Sequence, residues 1–247
     1  MKNHNSCGLC SVKLDGITVV SGRDTLIENI NMTFHCGELT ALIGKNGAGK
    51  TTLIRAILGE RQYTGEITFI RHDEGKIKRP LIGYVPQHLD FDKSTPVSVA
   101  DFMLAGKSKR PLWLGHNAAL KKRALSSLES LDCGHLLNKS LGNLSGGELQ
   151  KVMLLAATDP MPDLLILDEP VSGVDAIGLE KFYKTVTHLR DTYHMAILLV
   201  SHDLSLIKKY ADKVVLIDKT VLCQGEIDEV FTSRQFKDSF GYIEEGL

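Results

Sequence analysis

The stretch Gly44-Lys45-Asn46-Gly47-Ala48-Gly49-Lys50-Thr51, followed by Thr52, fits G-x-x-x-x-G-K-[ST] at every fixed position. Glycines at these places let backbone N–H groups turn inward onto phosphate oxygens, and a helix starting at the end of the loop adds positive potential. Lys50 is placed to reach the β- and γ-phosphates, and the Thr51 hydroxyl to ligate Mg²⁺. A glycine-rich strand-to-helix turn with no ligand is the competing reading. Eight matching residues between a predicted strand and a predicted helix argue against it. The stretch reads as a nucleoside triphosphate site.

Two carboxylates and a histidine are suited to act on what that loop holds. "LLILDEP" ends an apolar run with Asp168 and Glu169. At the carboxyl end of a buried strand in an open α/β sheet, such a pair stands where ligands bind. Asp168 is the expected Mg²⁺ residue, in contact with the ion or one ligand removed, and Glu169 the polariser of the attacking water. His202 follows "AILLVS" in the same way, on a strand expected to neighbour the previous one, and its imidazole can hydrogen-bond a γ-phosphate. A plain helix start capped by Ser201 or Asp203 would use the same residues without chemistry. Gln87, ending "GYVPQ", is an ordinary loop glutamine in isolation; its amide oxygen could face Mg²⁺ or the nucleophilic water.

A second glycine-rich turn lies in "LGNLSGGELQK", residues 141–151. Ser145 can cap the helix that follows, leaving bare N–H groups at an anion-attracting end. One nucleotide pocket does not need two cradles.

The hydrophobic pattern describes a scaffold for these residues. "SVKLDGITVV" alternates apolar and polar, a turn follows at Ser21-Gly22-Arg23-Asp24, and "IENINMTF" is a second strand. "ELTALIG" runs into the phosphate loop, and "TTLIRAILGE" is a helix closed by Gly59. "GEITFI" reads as an antiparallel-type strand and "LIGYVPQ" as another. From about Asp90 to Asp159 the pattern is mostly helical. "DLLILDE" and "AILLVSH" are continuous apolar runs, the mark of parallel strands buried on both faces, and "DKVVLIDKT" and "VLCQGE" read as closing edge strands. The expected fold is α/β: a core, a small antiparallel β lobe and a helical insert.

Bulk properties narrow the function. The chain has 247 residues, 43% of them hydrophobic, enough for one large domain. A formal net charge of −1 with interspersed signs argues against a nucleic-acid partner. "MKNHNSCGLC" lacks the apolar region of a signal peptide, and runs such as "MAILLV" are far short of a membrane span. Five scattered cysteines, Cys7, Cys10, Cys36, Cys133 and Cys223, suit a reducing compartment and thiols used as small buried hydrophobes. Cys7 and Cys10, with His4 and His35-Cys36, have the residue types of a metal clip but lack a second CxxC pair.

The phosphate loop, Gln87, "LSGGE", "LLILDEP", "SGVD" and His202, in this order and spacing, resemble the ATP-binding subunit of ABC transporters, over essentially the whole chain. The resemblance implies a P-loop NTPase core and one ABC ATPase domain over 1–247. The antiparallel lobe would take roughly 9–40 and 64–72, and the helical signature-motif insert roughly 90–158. It makes Ser145, Gly146, Gly147 and Glu148 the signature motif and Ser172-Gly173-Val174-Asp175 the D-loop. Lys50, Glu169 and His202 become catalytic residues. Gly44 to Thr52, Gln87, Asp175 and the signature motif become nucleotide contacts, with Thr51, Gln87 and Asp168 toward Mg²⁺. In the family, two subunits pair head to tail and each signature turn covers the partner's ATP, which accounts for the second cradle.

"IGYVPQ", "PVSVADFMLAG", "EPVSGVDAIG" and "VSHDL" further resemble the zinc- and manganese-type importers. The resemblance then implies a polytopic permease partner, an extracytoplasmic metal-binding protein in the same system, and a peripheral place on the cytoplasmic face of the membrane. Phe102, Met103 and Trp113 are candidates for contact with the permease, and equally for core. One departure concerns adenine: the aromatic that the family usually stacks on the base would fall at Val20 or Ser21. A soluble ABC ATPase of iron–sulfur cluster assembly is the alternative. A chromosome- or repair-type ATPase would need long coiled coils between the two cradles, where only about 95 residues without heptads intervene. A small-molecule P-loop kinase would leave the second cradle unexplained.

Overall fold

The computed structural model describes residues 9–71, 80–87, 96–105, 107, 118–170 and 176–241. They divide into two compact units, one drawn from residues 1–84, 162–169 and 183–247, the other from 85–161 and 170–182.

The first unit opens with β1 (Ser11–Ser21), whose buried Val12, Leu14, Ile17 and Val19 are interleaved with exposed Lys13, Asp15 and Val20. β2 (Asp24–His35) returns antiparallel to it, with Ser21 facing Asp24. The strand therefore starts three residues before the apolar pattern at Ile27 does. Backbone pairing carries it through exposed Asp24 and Thr25, which a hydrophobic pattern cannot register. β3 (Leu39–Ile43) is buried at every residue. α1 (Lys50–Ile57) ends before Gly59, whose φ of 74° is the left-handed conformation that stops a helix cheaply only at glycine. β4 (Thr64–Ile70) pairs antiparallel with β1, completing a three-stranded sheet in the order β2-β1-β4.

The remaining elements are, in chain order, β5 (Ile82–Val85), α2 (Val99–Leu104), α3 (Ala118–Glu129), α4 (Gly146–Ala157), β6 (Leu164–Asp168), α5 (Ala176–Tyr193), β7 (Ala196–Val200), α6 (Leu204–Tyr210), β8 (Lys213–Asp218), β9 (Thr220–Glu226), α7 (Ile227–Thr232) and α8 (Arg234–Phe240). The six-stranded sheet has the order β5-β6-β7-β3-β8-β9. β6, β7, β3 and β8 are parallel, and β9 turns back antiparallel to β8. β8 is thus an interior strand, not the edge that its position late in the chain suggests. Parallel pairing to β3 covers its other side and buries Val214 to Ile217.

One hydrophobic core joins the two sheets. Leu14, Ile17, Ile27 and Phe34 of the antiparallel sheet pack with Leu42, Ile166, Leu198 and Val200 of the parallel one, together with Leu53, Ile54 and Ile57 of α1. Each large aliphatic buried there contributes about 1.5–3 kcal/mol relative to exposure. The helix that carries Lys50 is held from both sides.

The second unit has its own core. Val99, Met103 and Leu104 of α2 meet Leu128 of α3, Val152 of α4 and Leu136 of the turn between α3 and α4. Ser98 caps α2 in a reciprocal box with Asp101. Met103 belongs to this core and Phe102 is half-buried against it, while Trp113 lies outside the described residues. Among the described cysteines only Cys133 is fully buried; Cys10, Cys36 and Cys223 are half-buried, so burial is not what these three thiols share. Cys7 lies outside the described residues. Among these residues, no helix is long and apolar enough to cross a membrane.

Candidate nucleotide site

Register brings the chemistry to one edge. Leu42 of β3 faces Val200 of β7, and Val200 faces Asp168 of β6 on its other side. The phosphate loop, the turn carrying His202 and the Asp168-Glu169 pair therefore leave the sheet from one row, at the carboxyl ends of parallel strands. The strand of His202 does neighbour that of Asp168, as expected. It also separates Asp168 from the phosphate-loop strand, so His202 lies between the loop and the carboxylates in strand order.

Packing dictates two of the loop's three glycines. A Cβ on Gly44 would stand 2.3 Å from Ile217 O, and one on Gly49, at φ 97°, would stand 2.2 Å from Ile27 Cγ2. Lys219 N–H donates to Ala48 O at 2.9 Å, so the β8–β9 turn braces the loop from behind. Gly49 caps α1 without a side-chain hydrogen bond, leaving the helix start to backbone N–H groups. Lys45, Asn46 and Gly47 are exposed, and Thr51 and Thr52 half-buried. Lys50 is 6% exposed, and its ammonium donates to Gly44 O at 2.7 Å and Lys45 O at 3.1 Å. Burial pulls the Lys50 pKa down, against the charges of Glu169 and Asp168. Two carboxylates thus help keep a buried ammonium charged.

Asp168 is 2% exposed. Its Oδ1 is buried without a hydrogen-bond partner of good geometry, although the Thr51 hydroxyl acts on the carboxyl closely enough to lower its pKa. Its Oδ2 receives the Tyr84 hydroxyl at a long 3.5 Å. Burial, then the charge of Glu169, pushes the Asp168 pKa up overall. Desolvation and Asp168 drive the Tyr84 hydroxyl up to about 12, so it remains a neutral donor. A buried, under-satisfied carboxylate oxygen beside a threonine hydroxyl is the donor set that a hard divalent cation would relieve. These residues fit Mg²⁺.

Glu169 departs from strand geometry, with φ 46°, unusual for a residue with a side chain. Its N–H still donates to Val200 O at 3.0 Å. Its Oε1 lies 2.7 Å from His202 Nε2. Asp203 caps α6, its Oδ1 accepting Leu206 N–H at 3.0 Å. The helix-start reading therefore holds for Asp203, and His202, one residue before that cap, meets the Glu169 carboxylate.

In the second unit, Ser145 caps α4 in a reciprocal box: Glu148 N–H donates to Ser145 Oγ at 3.3 Å, and Ser145 N–H to Glu148 Oε2 at 2.8 Å. The first bond of the helical ladder is Leu149 N–H to Ser145 O, so the N–H groups of Gly146 and Gly147 precede it. Glu148 is turned back on this cap and toward Lys139, 3.4 Å away. Gln87 follows β5 by two residues. Asp175 and the rest of Ser172-Gly173-Val174-Asp175 lie outside the described residues.

The family model described as "ABC transporter" matches residues 27–172. Among curated relatives, a zinc import ATP-binding protein ZnuC of Marinobacter nauticus is 37% identical over 94% of this chain and 83% of its own length. A second, from Hahella chejuensis, is 38% identical over 93% of this chain and 83% of its own. The chain belongs to the ABC transporter family. It is an ATP-hydrolysing subunit of such a transporter, an ABC ATPase. The fold agrees with solved cassettes. A nucleotide-free ATP-binding cassette from an ABC transporter matches with TM-score 0.82 and 22% identity over 94% of this chain and 99% of that one. The ADP conformation of the cassette MJ1267 matches with TM-score 0.80 and 23% identity over 94% and 98%. The iron–sulfur assembly alternative finds no support among these relatives.

One residue of this ABC ATPase's site escapes sequence reasoning, Tyr84. Its only signal is a place three residues before Gln87, on a strand bordering that of Asp168. Where the family resemblance places the adenine-stacking aromatic, Val20 is 55% exposed and Ser21 is exposed at the end of β1.

Proposed function

We propose that this ABC ATPase powers zinc uptake and acts as an ATP-sandwiched pair of identical chains. Each copy would be one ABC ATPase domain over 1–247. The reading of the cargo rests on one observation: relatives named as zinc import ATP-binding proteins match more than nine-tenths of the chain at 35–38% identity. In this reading the subunit sits peripherally at the cytoplasmic face, bound to a polytopic permease that receives zinc from an extracytoplasmic binding protein.

The loop from Gly44 to Thr52 wraps the phosphates, and Lys50 turns its ammonium from the loop carbonyls to the β- and γ-phosphates. Mg²⁺, held by Thr51, Asp168 and Gln87, would add positive charge against the negative charge gathering on the phosphates. Glu169 takes a proton from the attacking water as that oxygen bonds to the γ-phosphorus. The bond to the bridging oxygen breaks, and ADP leaves with the electron pair. His202 Nε2–H donates to the ionised Glu169, which accepts only, and holds it in place; on closure the imidazole also meets the γ-phosphate. The partner's Ser145, Gly146 and Gly147 close the far side. Glu148 contributes by holding Ser145, since a carboxylate against phosphate would repel it.

Reconstitution tests the cargo. The chain, purified with the membrane protein that accompanies it, is placed in vesicles with a binding protein, and zinc accumulation is followed. Uptake of zinc that requires ATP and vanishes with Glu169→Gln is the expected result. ATP turnover that moves no zinc, or that moves another solute in its place, contradicts the assignment.

A further inference from the structure

The turn that presents His202 is held from behind by a residue far from the reacting atoms. Tyr183 of α5 is 1% exposed, and its hydroxyl lies 2.9 Å from Ser201 Oγ in a buried contact. Ser201 Oγ also accepts the Asp203 N–H at 3.1 Å, closing a small ring around His202. At the other end of α6, the Tyr183 ring stacks on Tyr210, with centroids 5.5 Å apart. One side chain therefore grips α6 at both ends, by hydroxyl at the start and by ring at the finish. Burial drives the Tyr183 pKa up to about 12, so at working pH the phenol keeps its proton and can donate it to Ser201.

We infer that Tyr183 is a positioning residue for ATP hydrolysis, aligning His202 with Glu169 through Ser201. The inference rests on the proposed roles of His202 and Glu169. The chain from hydroxyl to imidazole is short: Ser201 is the covalent neighbour of His202, and the Asp203 N–H bonded to it is the next amide after that of His202. A buried hydrogen bond here limits the torsions of a two-residue turn, and the imidazole, 45% exposed, has little packing of its own to hold it. Without the phenol, His202 should sample several directions and meet Glu169 for only part of the time. Nucleotide affinity should be untouched, because the bond removed runs to Ser201, outside the phosphate loop and α1.

The experiment compares Tyr183→Phe, Ser201→Ala, His202→Ala and Tyr183→Phe/His202→Ala in steady-state ATPase assays, with His202 ring resonances followed by NMR. Phenylalanine keeps the stacking ring and removes only the hydroxyl. The expected result is a kcat about 3- to 10-fold lower for Tyr183→Phe and Ser201→Ala with KM for ATP unchanged, and broadened or shifted His202 resonances. In the His202→Ala background Tyr183→Phe should cost nothing more. Should Tyr183→Phe fail to fold, Ser201→Ala and the His202 resonances carry the same test. Wild-type kcat in folded Tyr183→Phe, or an equal loss in both backgrounds, overturns the inference while the site stands. Full turnover in His202→Ala overturns the reading of the site itself.

Discussion

Glu169 Oε1 and His202 Nε2 lie 2.7 Å apart, joining the ends of two neighbouring parallel strands by a side-chain contact between residues 33 apart in sequence. The left-handed backbone at Glu169 turns its carboxylate out of the strand direction. In the proposed mechanism imidazole and carboxylate form a unit, Glu169 taking the proton and His202 orienting it.

Removing the orienting member should slow chemistry and spare binding. A hydrogen bond to a charged group contributes about 1.5–3 kcal/mol, so His202→Ala should lower kcat about 10- to 100-fold. ATP affinity should stay within about threefold. Calorimetry and steady-state assays read the two quantities separately. A mutant that loses affinity with kcat intact would place His202 in ground-state binding instead.

The signature turn carries a pH dependence of its own. The Ser145 N–H, bonded to the carboxylate, leads the groups that hold Glu148 below its usual pKa range. A depressed folded pKa contributes stability that is present above the ordinary glutamate value and lost as pH falls through the folded one. Wild type should therefore exceed Glu148→Gln by about 0.3–1 kcal/mol at neutral pH. The difference should fade as pH falls from the ordinary glutamate value through the lowered one. Thermal unfolding across that window checks it; a gap independent of pH would mean that the carboxylate's charge plays no part in the cap.

Two dead proteins should restore each other if the cradles serve different nucleotides. In Lys50→Ala the phosphate loop is broken, and in Ser145→Arg the signature turn. A mixed pair holds one doubly broken site and one with an intact loop facing an intact turn. Mixing should recover ATPase activity, each mixed pair up to about half of wild type if the sites act independently. Cross-linking confirms that mixed pairs form. Mixed pairs that form and stay inactive, in an assay sensitive to one working site, would show that both cradles grip the same chain's ATP.

How much of this was legible in the sequence depends on where each contact comes from. The loop from Gly44 to Thr51 is local, and its residues announce it. Asp168 and His202 were legible because each ends a continuous apolar run, and such runs become strands buried on both faces. Strand order was legible only in the pairing of β6 with β7, because the rest depends on crossovers that packing decides. The placing of β7 between β3 and β6, and of β8 inside the sheet, leaves no mark in local pattern. The Tyr84 contact with Asp168 and the Tyr183 contact with Ser201 join residues 84 and 18 positions apart. Each tyrosine reads as an ordinary apolar residue until the sheet and α5 bring it to its partner. The start of β2 was missed for the opposite reason, since its first residues are exposed and paired only through the backbone.

The role of Glu169 is the centre of the account, and Glu169→Gln tests it most directly. The amide keeps the size of the side chain and can still meet His202, but it takes no proton from water. With Mg²⁺ present, ATP should bind within about threefold of wild-type affinity, single-turnover hydrolysis should fall at least about 100-fold, and the bound triphosphate should hold two chains together in gel filtration. Hydrolysis by Glu169→Gln near the wild-type rate, from a protein that remains monomeric with ATP, would contradict the account.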